Sequence, residues 1–177
     1  MVVAVAFALC ASGVAAKDSG DCSNGTLNGE YGFSAHGQLL GLFDGSNALH
    51  RFAFPQYIDA VALQRFDGSG KVRRSDFLVN NGLPRGAQTT FNAEQNGTYI
   101  LNSDCTGSMH IVYDSGAVLD FKIVVADEGR LVLGVLNAES VPSLPVPTVD
   151  NLTCPPNCNL AAQIGVQGRK LEGGGRR

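Results

Sequence analysis

FPQYIDAVALQRFDGSGKVRRSDFLV, residues 54–79, decides the fold class. Residues 54–66 form a long run rich in apolar, β-branched and aromatic side chains. Asp67, Gly68, Ser69 and Gly70 then supply the chemistry of a chain reversal. Residues 71–79 form a second run, so the segment predicts a β-hairpin. Side chains alternate between faces along a strand, which puts Tyr57, Asp59 and Val61 together.

The same rhythm extends in both directions. Residues 27–37, LNGEYGFSAHG, alternate, with Tyr31, Phe33 and Ala35 on one face and Glu30, Ser34 and His36 on the other. A Gly-rich loop is expected from there to about Asn47. Asn80, Asn81 and Gly82 read as another turn, and residues 85–92 as a weaker strand. Residues 97–102 and 106–113 form a hairpin around the polar turn that holds Cys105. Residues 116–126 and 130–138 form the next, joined by Asp127, Glu128 and Gly129. Residues 141–158 carry five of the seven prolines, which no central strand tolerates, so they read as a surface loop. A last strand at 160–171 returns to close the sheet. Short strands with turns between them predict an all-β, antiparallel barrel of about eight strands in an up-and-down meander. Closure would remove the exposed edges.

The 177 residues suit one domain with a real core. The formal net charge is −3 and no basic stripe occurs, which argues against a nucleic-acid partner. Residues 1–16 carry no charged side chain, and Val14 and Ala16 stand at −3 and −1 before Lys17. That is the pattern of a secretory signal peptide, and its apolar core is too short to span a bilayer. The expected organisation is a signal peptide at 1–16, one barrel domain at 17–171 and a disordered tail at 172–177, in a secreted protein.

Once Cys10 leaves with the signal, Cys22, Cys105, Cys154 and Cys158 remain. Four cysteines in a secreted chain suggest two disulfides. Cys154 and Cys158 enclose a tight turn and suit a local bridge, which leaves Cys22 for Cys105. A lone C-x3-C without nearby histidine is a poor zinc pattern. His36, His50 and His110 show no metal-ligand spacing, and FDGSN (43–47) and FDGSG (66–70) lack the further oxygen ligands of a calcium loop. No metal and no cofactor is expected. Asn24, Asn96 and Asn151 stand in N-x-S/T sequons, acceptors for glycans in a eukaryotic source.

LNGEYGF, FDGSGKV, NGTYILNSDCTGS and FKIVV fall in an order that resembles a group of small secreted proteins. Their architecture is similar to lipocalin-like (calycin) or allene-oxide-cyclase-like barrels, over roughly residues 22–136 here. Where classical lipocalins carry G-x-W, this chain has Gly29, Glu30 and Tyr31. The resemblance implies a barrel that binds an apolar small molecule or guides a cyclisation.

Three functions are consistent with these readings. The leading one is non-catalytic binding of a small apolar or amphipathic ligand, with Tyr31, Phe33, Tyr99 and Phe121 as candidates to line the cavity. The second is a cyclase or isomerase, for which Asp59 or Asp120 would have to face inward, where desolvation would raise its pKa. The third is an extracellular interaction or structural protein with a filled core. Strand alternation favours an outward Asp120, beside Lys122.

Overall fold

The computed structural model describes residues 21–143, 146–152, 154 and 157–172. The leader expected at 1–16 lies outside these residues, as does the tail beyond Glu172. The strands are β1 (Asn28–Phe43), β2 (Leu49–Asp67), β3 (Lys71–Asn80), β4 (Leu83–Pro84), β5 (Gln95–Leu101), β6 (Thr106–Val112), β7 (Val118–Ala126), β8 (Leu131–Val141) and β9 (Cys158–Lys170). They form one antiparallel sheet in the order β2-β1-β9-β8-β7-β6-β5-β3-β4. Because β2 also pairs with β3, every strand except the short β4 belongs to a closed ring of ladders. No helix among the described residues is long and apolar enough to cross a membrane.

Two expectations are corrected. β1 does not give way to a loop after Gly37 but runs to Phe43, paired with both β2 and β9. Its glycines serve close backbone approach: a Cβ on Gly37 would stand 2.1 Å from the Gln163 carbonyl oxygen, and one on Gly41 2.0 Å from that of His50. Conversely, residues 85–92 are not a strand. Arg85–Ala87 form a 3-10 turn in which Gly86 and Ala87 take positive φ, which breaks extended pairing. The segment beyond it folds back onto β3, with the Asn92 amide donating to the Asp76 carbonyl at 2.8 Å.

Alternation sets which side chains enter the ring. On β2, Ile58, Ala60, Ala62, Gln64 and Phe66 point inward and are buried, while Tyr57, Asp59 and Val61 are exposed. The expected face of β1 is also the inner one: Tyr31, Phe33 and Ala35 are buried. One end of the ring is plugged. Phe66 meets Tyr31 and Tyr99 edge-on, with centroids 5.1 and 5.0 Å apart, and Phe33 packs beside them. The phenols do not waste their polar tips there. Tyr31 donates to the Gly129 carbonyl, and Tyr99 reaches the carbonyls of Asn24 and Leu27, each at 2.9 Å.

The turns at this end are built from aspartates that accept backbone hydrogen bonds. Asp67 accepts from the Ser69 hydroxyl and from the amides of Lys71 and Ser69, which holds its pKa at about 2. Asp104 does the same for Thr106. Both expected disulfides are present: Cys22–Cys105 ties the leading segment to the β5–β6 turn, and Cys154–Cys158 closes the end of the Pro-rich segment.

Candidate ligand cavity

Toward the opposite end the inward side chains shrink. Ala35, Ala60 and Ala117 stand where the plugged end has rings, and Leu39, Ile58, Leu136 and Ile164 complete an apolar wall. The space left is a cavity of about 320 Å³. Its mouth is bounded by the segment after β4, by the β6–β7 turn and by Pro142 and Ser143 after β8.

Polar groups enter this apolar space from four places: β3, the segment after β4, the residue after β6, and β8. Arg74 and Asp76 are two residues apart on β3, so both point inward. Their side chains are only 5% and 4% exposed, and Arg74 Nε donates to Asp76 Oδ2 at 2.7 Å. Asn92 Nδ2 donates to the other carboxylate oxygen at 2.7 Å, and the Tyr113 hydroxyl donates to Oδ2. Burial alone would raise the Asp76 pKa, but the Arg74 charge and these three hydrogen bonds hold it below the ordinary value. Burial pushes the Tyr113 phenol up, so it stays a neutral donor. Gln88 braces the arrangement by donating to the Asp76 carbonyl at 3.0 Å.

The last contribution is Glu139 on β8, 4% exposed at its side chain. Arg85, 38% exposed, reaches it from beyond β4 at 3.4 Å. Burial raises the Glu139 carboxyl above its ordinary value, with Arg85 opposing. The cavity wall thus carries one ionised carboxylate held by several donors and one carboxyl that is biased toward protonation.

Of the aromatic candidates, Phe121 lines the cavity. Tyr31, Phe33 and Tyr99 pack away from it, at the plugged end. Asp59 and Asp120 are on the outer face, hydrogen-bonded to the exposed His36 and His110. His50 lies between Asp44 of the β1–β2 turn and Asp150 of the Pro-rich segment, at 3.3 and 2.6 Å. Among the sequons, Asn96 and Asn151 are exposed, while Asn24 is half-buried and accepts a hydrogen bond from the Leu101 amide at 2.8 Å. No group of three metal-ligating side chains occurs among the described residues.

Arg74, Asp76, Arg85, Tyr113 and Glu139 were not legible as a site. KVRRSDFLV offers mixed faces either way: Val72, Arg74, Asp76 and Leu78, or Arg73, Ser75, Phe77 and Val79. The one available signal was the pairing of an inner-phase Arg with an inner-phase Asp two residues on, between apolar Val72 and Leu78.

Fold and cavity together define an antiparallel ring, plugged at one end and hollow with a few polar groups at the other. No family model, no curated protein and no solved structure matches the chain.

Proposed function

We propose that this is a secreted β-barrel protein of lipocalin-like or allene-oxide-cyclase-like kind that binds a small amphipathic molecule without transforming it. The observation that carries the reading is the cavity of about 320 Å³, with apolar walls and a polar cluster on one side. Such a combination suits a ligand with an apolar body and one polar group, since the walls favour burial and the few polar atoms set orientation. Two disulfides fit an oxidising compartment. A hollow interior favours binding over the filled-core alternative. The cyclase or isomerase reading has one observation in its favour, the buried Glu139 carboxyl, whose pKa burial raises and which borders the cavity. Asp76 serves that reading poorly, because Arg74, Asn92 and Tyr113 already occupy its oxygens.

Native mass spectrometry of the secreted protein, followed by solvent extraction, tests the proposal. A bound amphipath, recovered unchanged after incubation, is the expected result. Recovery of an isomer or cyclised product moves the assignment to catalysis. A protein that stays empty and binds no medium-chain amphipath sinks both.

A further inference from the structure

The ionisable side chains around the cavity are Arg74, Asp76, Arg85, Tyr113 and Glu139. They divide into two sets with different strength. Asp76 accepts from Arg74, Asn92 and Tyr113, so the Arg74 and Asp76 charges are neutralised in place. Arg85 and Glu139 share a single contact at 3.4 Å, long against the roughly 2.7–2.9 Å of a good charge-assisted bond. No second donor reaches Glu139 among the described residues. A buried carboxylate with one long contact is under-solvated, and desolvation favours its neutral form. Arg85 has no such escape, because a guanidinium keeps its charge in proteins.

Resting on the ligand-binding reading above, we infer that the cavity takes an amphipath with a singly charged anionic head, which pairs with Arg85 in place of Glu139 while Glu139 takes up one proton from solvent. Charge stays balanced throughout. Before binding, Arg85 and Glu139 neutralise each other. Afterwards the head neutralises Arg85, and Glu139 is an uncharged acid beside it. Arg74, Asp76 and Tyr113 form the fixed polar wall that does not titrate in this exchange. The planar fork of Arg85 suits an oxyanion head. A cationic head would instead have to hold Glu139 ionised in its buried position while Arg85 was released.

Isothermal titration calorimetry with octanesulfonate, octanol and octylammonium separates the cases, since the sulfonate stays anionic at every pH used. Measurements run from pH 5 to pH 8 in buffers of different ionisation enthalpy. Octanesulfonate is expected to tighten as pH falls, by up to about tenfold per unit inside the window where Glu139 titrates, with about one proton taken up at its upper side. Octanol changes little. Glu139→Gln keeps the tight, low-pH affinity at all pH values and takes up no proton. Arg85→Gln, whose side chain is partly exposed, weakens octanesulfonate at least tenfold and leaves octanol alone; it carries the test should the Glu139 variant not fold. Equal, pH-independent binding of octanesulfonate and octanol overturns the inference and leaves the ligand reading standing. Tightest binding by octylammonium overturns it in favour of a cationic head. If none of the three binds, the ligand reading itself falls.

Discussion

The two ends of the ring are built from the same strands and have opposite interiors. At one end Tyr31, Phe33, Phe66 and Tyr99 fill the space, and their hydroxyls are satisfied by nearby carbonyls. At the other, alanines leave room, and Arg74, Asp76, Tyr113 and Glu139 place polar atoms against apolar walls. Moving along β1 from Tyr31 to Ala35, or along β2 from Phe66 to Ala60, crosses from one regime to the other in a few residues. The difference shows that one closed sheet accommodates a tightly packed aromatic end and a hollow polar end within a few residues of each other. The other end holds buried polar groups against apolar walls, an arrangement that costs stability.

That division is open to attack. Asp76→Ala strands the buried Arg74 charge and is expected to cost about 3–5 kcal/mol. Chemical denaturation measures it, and a loss under ~1 kcal/mol would mean that the polar wall is far wetter than its burial implies. Replacing Cys22 and Cys105 together by Ser opens the tether at the plugged end, at a cost of about 2–4 kcal/mol. The hollow end should keep its ligand affinity in that variant; parallel loss of both would show that the ends are not separable.

Gln64 sharpens the boundary between the regimes. It is 0% exposed, and neither amide atom has a hydrogen-bond partner among the described residues. It sits across from Tyr31 of the plug and from Arg74 of the polar wall. Gln64→Leu is expected to stabilise the protein by about 1–3 kcal/mol by removing that desolvated amide. Destabilisation would show that the amide is solvated from the cavity side.

Glu139→Gln is expected to raise the melting temperature in a pH-dependent way. A carboxyl whose folded pKa is raised gives up stability as pH climbs from the ordinary 4.5 through the raised value. The variant does not titrate, so its advantage should be absent near pH 4, grow above that and level off. A constant offset across pH would remove Glu139 as the titrating group. The smallest effect concerns the Pro-rich segment. Asp150 and then Asp44 raise the His50 pKa above 6.5, so the clamp is in force below that value and is lost as pH rises through the raised one. Hydrogen-exchange protection factors, with the intrinsic pH dependence of amide exchange divided out, should be higher at pH 6 than at pH 8 for residues 148–152, where the Val149 amide donates to the Arg51 carbonyl. His50→Gln should erase the difference.

Much of the ring was legible because local chemistry dictates it. The turns at Asp67 and Asp104 declare themselves through Asp, Gly and Ser or Thr, and alternation assigned the inner faces of β1 and β7 correctly at Tyr31, Phe33 and Phe121. The glycines of β1 misled, since Gly37 and Gly41 look like loop residues until a neighbouring backbone is seen 2.1 and 2.0 Å from where their Cβ would stand. The 85–92 segment misled in the other direction, because Gly86 and Ala87 take a left-handed backbone that apolar spacing does not reveal.

By itself the sequence determined an all-β chain of antiparallel hairpins, and it suggested the pairings of Cys22 with Cys105 and of Cys154 with Cys158 that the structure shows. These depend on period-two patterning, turn residues and cysteine arithmetic, all of which act over short stretches. Only the tertiary structure decided that the interior is plugged by Tyr31, Phe66 and Tyr99 at one end and hollow at the other. It also decided that Arg74, Asp76, Tyr113, Arg85 and Glu139 meet there, while Asp59 and Asp120 face solvent. The physical reason is closure. Once the ring joins β2 to β3, residues far apart in the chain share one interior, and the sum of their volumes and charges, which no local window contains, sets what that interior can hold.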